Sequence, residues 1–395
     1  DVTSNSHDKY TKNPLEISAY LQDKMEFDNL IMNIGVRYDY FDANSLYAVD
    51  DFNPTPESPN IPDGIDPNSL LESNEVKHKI SPRIGVSFPI TDKGIIHFSY
   101  GHFYQMPPFS YLYANPDFKY ILNQTPYGNA NLNPQKTVSY EIGLQQQLND
   151  ATAFNITGFY KDVRDLLATQ RIRISESETY TKFVNKDYGN IKGITFSLTK
   201  RRTASDLFGA TLDYTFQVAE GNDTDPDAFF IDLASGRQPE KIPVYLDWDQ
   251  THTLNMSASV GRLGNWNLSL TGRLGTGLPY TTQFTENQVF LRANSARRPS
   301  TLTFDLLAEK TIDLFGLDLT VFAKVFNLFD NLNERLVYDD TGRATYSLDQ
   351  KRPTGIAVDK LAERIEGMQT VDDYFTRPNY YSAPREVRLG MSFEF

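Results

Sequence analysis

Thr253-Leu254-Asn255-Met256-Ser257-Ala258-Ser259-Val260 alternates polar and apolar side chains at every step, and the pattern resumes as Trp266-Asn267-Leu268-Ser269-Leu270-Thr271. Successive side chains of a β-strand point to opposite faces, so each stretch reads as a strand with one apolar and one polar face. Between them Arg262-Leu263-Gly264-Asn265 carries the residues of a tight turn. Two strands joined so briefly are neighbours in an antiparallel sheet.

The same period governs most of the chain. Leu317, Leu319, Val321, Ala323 and Val325 alternate with Asp318, Thr320, Phe322 and Lys324. Val387, Leu389, Met391, Phe393 and Phe395 alternate with Arg388, Gly390, Ser392 and Glu394. Segments around 15–27, 30–41, 80–90, 95–105, 137–148, 152–162, 191–201, 208–219 and 300–311 read alike, giving thirteen strands. Each has about the length that a tilted strand needs to cross a bilayer, roughly 9–11 residues. The connections alternate too. Short turns fall at Asp28-Asn29, Thr91-Gly94, Asn149-Asp150, Thr203-Asp206, Arg262-Asn265 and Asp313-Gly316. Long Pro- and Asp-rich loops are expected at 42–78, 106–136, 163–190, 220–248, 277–299 and 330–384. Short turns on one side and long loops on the other are the mark of an outer-membrane barrel, and sandwiches and propellers do not sort their loops this way.

Composition agrees. The 395 residues contain no Cys, which excludes a disulfide framework and thiolate metal centres. Tyr (23) and Phe (26) far outnumber Trp (2), and the strand ends carry them, as in Tyr38, Tyr40, Phe41 and Tyr100, Phe103, Tyr104. Those are positions for an interfacial girdle. The formal charge of −13 leaves no basic nucleic-acid footprint. No apolar run is long enough for a membrane helix, but in a transmembrane strand the lipid and lumen faces cancel in any hydropathy average.

No catalytic constellation is present in the sequence. His97 and His102 are five residues apart, hence on opposite faces of one strand. Nothing matches a nucleophile elbow or a nucleotide loop. Asp223-Thr224-Asp225-Pro226-Asp227 spaces three carboxylates as some calcium loops do, but without the usual Gly and closing Glu, so a solvated acidic loop is the default and structural calcium the alternative. Asp63-Gly64-Ile65-Asp66-Pro67-Asn68 is a poorer version of the same idea. The loop after Tyr104 is rich in aromatics: Tyr104, Met106, Phe109, Tyr111, Tyr113, Phe118, Tyr120 and Tyr127. Such loops suit adaptable recognition, so Tyr104, Phe109, Tyr111, Tyr113, Phe118 and Tyr120 are candidate ligand contacts. The alternative is that these rings pack on one another or on the rim.

Three stretches resemble one family. Gly128-Asn129-Ala130-Asn131-Leu132-Asn133-Pro134-Gln135-Lys136 followed by Ser139-Tyr140-Glu141-Ile142-Gly143-Leu144 is similar to a strand-entry motif of TonB-dependent receptors, with Gln135 where Glu is usual and Thr137 one place before the usual Ser. Val325-Phe326-Asn327-Leu328-Phe329-Asp330-Asn331 resembles the family's penultimate strand end, and Pro384-Arg385 through Phe395 its closing strand. The region Leu15 to Tyr40 further resembles barrels of the Bacteroidota branch that carry an N-terminal carboxypeptidase-regulatory-like domain. Local physics accounts for the motifs too: Pro134 enters a strand, and Asn327 and Asp330 bracket a strand end where they can bond backbone.

The expectation is therefore an all-β, transmembrane antiparallel up-and-down β-barrel, with about 13 strands here of about 22 implied by the resemblance. An odd count leaves the first and last strands parallel, so the chain is expected to be the C-terminal part of one barrel, lacking its first strands and plug. The resemblance implies TonB-coupled import of a bulky nutrient through the outer membrane, with the plug-bearing N-terminal part, the TonB system, lipid and surface glycolipid as partners and no enzyme activity. A passive porin-like channel and a structural barrel of a secretion or surface-protein complex are the alternatives.

Overall fold

The computed structural model describes residues 9–394 except 57, 59, 60, 62, 120–126, 176–177, 204–205, 223–242, 263, 283–292, 315–316 and 349–374. Thirteen long strands form one antiparallel sheet in sequence order. They are β1 (Leu15–Phe27), β2 (Leu30–Asp42), β3 (Lys77–Thr91), β4 (Gly94–Gln105), β5 (Gln135–Asn149), β6 (Thr152–Arg173) and β7 (Thr179–Lys200). The remainder are β8 (Phe208–Asn222), β9 (His252–Arg262), β10 (Trp266–Gly275), β11 (Thr301–Leu314), β12 (Leu317–Phe326) and β13 (Glu386–Glu394). Every neighbouring pair is antiparallel, as an up-and-down sheet requires.

Register turns the alternation into two continuous faces, because residues directly opposite share a face. Ala210, Ala258, Leu270, Leu306, Val325 and Val387 form one apolar row across β8–β13. Met32, Val86, Phe98, Ile142, Gly158, Ile194 and Phe216 form another across β2–β8. One residue along, the rows are polar: Thr211, Ser257, Thr271 and Asp305. Among the described residues none covers the apolar face, and Leu389 is 78% exposed. Side chains this apolar need a covering, and lipid supplies it, so this face points outward and the polar face lines the lumen. Gly143 serves the lumen side: a Cβ there would stand 2.5 Å from the ring of His97, directly opposite.

One element departs from expectation. The stretch 163–190 is not a loop: β6 and β7 run on to a connection of only 174–178. Register shifts at Val163/Leu166 and Leu166/Leu167, with Asp165 at φ 59°, break the alternation there. Among the described residues, the connections after β2 and β4 carry short pieces, the Leu46–Ala48/Leu71–Ser73 ladder and the helix Phe109–Tyr113. Among the described residues β1 and β13 are the two ends of the ladder, with no pairing between them.

Candidate functional site

The β6–β7 extension places a two-stranded wall beside the loops that follow β2 and β4. Buried apolar groups join the three. Phe41 at the end of β2 and Ala43 just after it pack with Leu112, Tyr113, Ala130 and Leu132 of the second loop, and Leu167 and Phe183 of the extension close over them. The Tyr111 ring stacks on Phe183 with centroids 4.4 Å apart. Tyr113 is buried and donates to the Ala43 carbonyl at 2.7 Å. Burial, with Asp42 beside it, raises its phenol above the ordinary value.

Polar contacts complete the joint. The Tyr127 amide donates to the Thr181 carbonyl at 2.7 Å, and the Phe183 amide returns to Tyr127 at 3.1 Å. Tyr180 meets Tyr127 edge-on and donates to the Asp51 carbonyl at 2.8 Å, while Lys182 pairs with the Asp51 carboxylate. Asn185 donates to Asn133 and Asp165 carbonyls at 3.0 and 2.9 Å and accepts the Asn133 amide at 2.7 Å. The result is one ordered cap over this part of the sheet.

The candidate aromatics divide accordingly. Tyr111 and Tyr113 are committed to the cap. Phe118 sits at φ 51°, its amide bonded to the Asn115 carbonyl. Tyr104 stands opposite Lys136, beyond the β3–β4 pairing, with the Lys79 ammonium over its ring. Phe109 is the half-exposed ring of the set, at the start of the short helix. Tyr120 lies outside the described residues, as do Asp223, Asp225, Asp227 and Phe395. Asp66 instead caps a short helix through the Asn68 amide at 2.9 Å. The expected girdle also splits: Tyr38, Tyr40 and Tyr100 face outward, whereas Phe41 enters the cap and Phe103 lies under the Arg83 guanidinium at 4.7 Å.

Sequence reasoning missed a second junction. Asp249 is wholly buried, accepts the Ala219 amide at 2.6 Å and pairs with Arg297 at 2.5 Å. Arg297 also donates to the Gly277 carbonyl, tying the loops after β8 and β10 together. A lone Asp and a lone Arg 48 residues apart give no local signal. The strand-end motif after β12 behaves as read: Asn327 donates to the Asn331 and Ala383 carbonyls, and Asp330 accepts the Arg385 amide at 2.8 Å. Nearby, burial alone would raise the Glu334 carboxyl, but Arg343 at 2.6 Å and the Ala344 amide hold it below its ordinary value.

The lumen face is a polar surface with both charges. Arg37 pairs with Asp39 at 2.8 Å, and Glu141 accepts from Ser139 at 3.2 Å. A hollow of about 460 Å³ over β8–β11 is lined by Asp213, Asn255, Arg273 and Asp305. Among the described residues no three metal-ligating side chains gather.

Comparison with known proteins gives these features a family. Residues 2–328 match the model described as TonB dependent receptor-like, beta-barrel. The fold is similar to that of the ferric-catecholate import receptor Fiu of E. coli K12, at 16% identity and TM-score 0.52 over 84% of this chain and 42% of that one. It is similar to the iron transporter FrpB of Neisseria meningitidis, at 14% identity and TM-score 0.55 over 82% and 43%. Pseudomonas aeruginosa FpvA, solved with heterologous pyoverdines, gives 12% and 0.56 over 96% and 38%. The chain thus spans about two fifths of the length of these structures. No curated protein matches it in sequence.

Proposed function

The chain belongs to the TonB-dependent receptor β-barrel family, and from that premise we propose that it is the C-terminal part of an importer barrel that takes up a bulky nutrient by TonB-coupled active transport. The family is integral to the bacterial outer membrane, and its members are receptors and transporters, not enzymes. The observation that carries the proposal is a thirteen-strand membrane sheet whose two edges, β1 and β13, are not paired with each other among the described residues. In hydrocarbon each unsatisfied backbone group costs several kcal/mol, so both edges need strands beyond these. A barrel of about 22 strands encloses a lumen that a plug can fill. The polar, two-signed lumen face suits such a plug. Fiu and FrpB, named as an import receptor and an iron transporter, favour import over a platform role.

The partners proposed are the plug-bearing N-terminal part, in the same or a separate chain, and the TonB system. Phe109 and the neighbouring cap surface are the proposed first contact for the nutrient. Because the chain has no native Cys, single cysteines at Tyr20 on β1 and Arg388 on β13 report the seam directly. Each should cross-link to receptor segments outside these residues; cross-linking of Tyr20→Cys to Arg388→Cys would overturn the open-edge reading. For the energised step, uptake by cells carrying the full receptor should stop on adding an uncoupler. Constitutive conductance of the purified receptor in a planar bilayer would favour a passive channel instead.

A further inference from the structure

β1 alternates like its neighbours, with one exception on the outward side. By register Phe27, Met25, Leu21, Ala19 and Ile17 share that face with Leu30, Met32, Val36, Tyr38 and Tyr40 of β2. Asp23 falls on the same face, directly opposite Ile34. Four residues separate it from Phe27 beside the short turn, and four from Ala19, which stands opposite Tyr38 of the girdle. At about 3.3 Å per residue and a tilt of about 40°, that is roughly 10 Å to either side. A carboxylate therefore stands near the middle of an apolar band about 25 Å tall.

The paired side of β1 offers it nothing. Ile34 and the diagonal neighbours Met32 and Val36 are apolar, as are Met25 and Leu21 two residues away along β1. Lys24, the next residue, points into the lumen and pairs with Glu26. Among the described residues Asp23 has no hydrogen-bond or ion-pair partner. Other outward-facing charges are provided for: Arg164 pairs with Asp162 at 3.0 Å, Lys192 with Glu220 at 3.8 Å, and Lys310 reaches the turn residue Asn265. The outward face of β13, the other sheet edge, is Val387, Leu389, Met391 and Phe393, so direct closure of β1 onto it would leave Asp23 just as alone.

We propose that the strand on the free side of β1 presents a Lys or Arg to Asp23, forming an ion pair in the lipid-facing wall that fixes the register of this seam. The proposal rests on the open-edge reading above and adds the chemistry of the neighbour. Charged groups at this depth are costly alone and persist by pairing. Directly opposite residues on one face have Cβ atoms about 5 Å apart, and a Lys or Arg also spans the diagonal. A divalent cation is a poorer occupant, because it wants about six oxygens and one carboxylate set among Met25, Leu21 and Ile34 supplies two. The pair also does what alternation cannot. A slip of two residues keeps every apolar side chain in lipid, so the pattern alone leaves such registers equivalent. A cation opposite Asp23 distinguishes them.

The test uses the full-length receptor, with heat-modified gel mobility as the measure of barrel stability. Were Asp23 alone in lipid, Asp23→Leu would strengthen the barrel. With a partner it strands the partner's charge instead, and heat-resistant barrel at the wild-type conversion temperature should fall by roughly tenfold or more. Asp23→Asn, which keeps the shape without the charge, should fall likewise, while Ala19→Leu on the same face should match wild type. A benzophenone maleimide on Leu21→Cys, beside Asp23, then attaches to the neighbouring strand, and mass spectrometry of the joined peptides names the residue facing Asp23. That residue should be Lys or Arg. Replacing it with Leu in the Asp23→Leu background should restore the wild-type conversion temperature, even where Asp23→Leu alone yields no barrel. Attachment to an outside strand with no Lys or Arg opposite or diagonal to Asp23, a barrel unharmed by Asp23→Leu, or no recovery in the double variant would overturn the pair and leave the open edge standing. Attachment to β13 would overturn the open edge itself, and the pair with it.

Discussion

The β9–β10 and β6–β7 hairpins belong to one sheet and obey different rules. β9 and β10 have 11 and 10 residues, about what a tilted strand needs to cross a bilayer, and they alternate without interruption. β6 and β7 have 22 residues each, and their outer halves carry bulges and packed aromatics. Inside the bilayer the solvent dictates one face, and a one-residue slip would turn every polar side chain into lipid. Above it that constraint lapses, and the strand continues because other loops pack on it. Length beyond the bilayer is therefore a record of what the outer end must hold together.

The comparison can be broken most sharply in β9. Ala258→Arg puts a charge on the lipid face near mid-strand and should cost about 2–4 kcal/mol, seen as a large loss of heat-modifiable barrel. Ser257→Arg, the next residue and the opposite face, should stay within about 0.5 kcal/mol. Equal effects would mean that the faces are assigned wrongly.

A milder test replaces residues 168–183 with a two-residue turn, shortening β6–β7 to the length of its neighbours. Barrel assembly should persist, because the bilayer-crossing parts are untouched. The helix Phe109–Tyr113 should become protease-sensitive, having lost Phe183 against Tyr111. Unchanged protection of that helix would show that the cap stands without the hairpin.

The smallest effect concerns pH at the loop after β12. The Glu334 carboxyl is held low by Arg343, so its contribution is complete above the ordinary carboxylate range and fades as pH falls through its lowered value. Hydrogen exchange of the Ala344 amide should quicken, relative to unfolded controls, only in acid. Glu334→Gln should show faster exchange already at neutral pH and no further acid step.

Much of this was legible beforehand. The thirteen strands, the short turns and both faces followed from period two, since the bilayer imposes that pattern residue by residue. The turn at Asn327 was legible for a similar reason, its bonds with Asn331 being local, whereas its bonds to Ala383 and Arg385 were not. The hairpin end was not, because outside the bilayer Thr169, Gln170 and Thr181 need no fixed alternation. Nor did composition tell Tyr113, buried on a carbonyl, from Phe109, half-exposed a few residues away.

By itself, then, the sequence determined the sheet, its order and which side meets lipid, all consequences of one repeating local rule. Tertiary structure alone decided which outer segments meet: Tyr111 on Phe183, Lys182 on Asp51, Arg297 on Asp249. Those pairs join residues from 48 to 131 positions apart, and the folded sheet, rather than any neighbouring residue, brings them into contact.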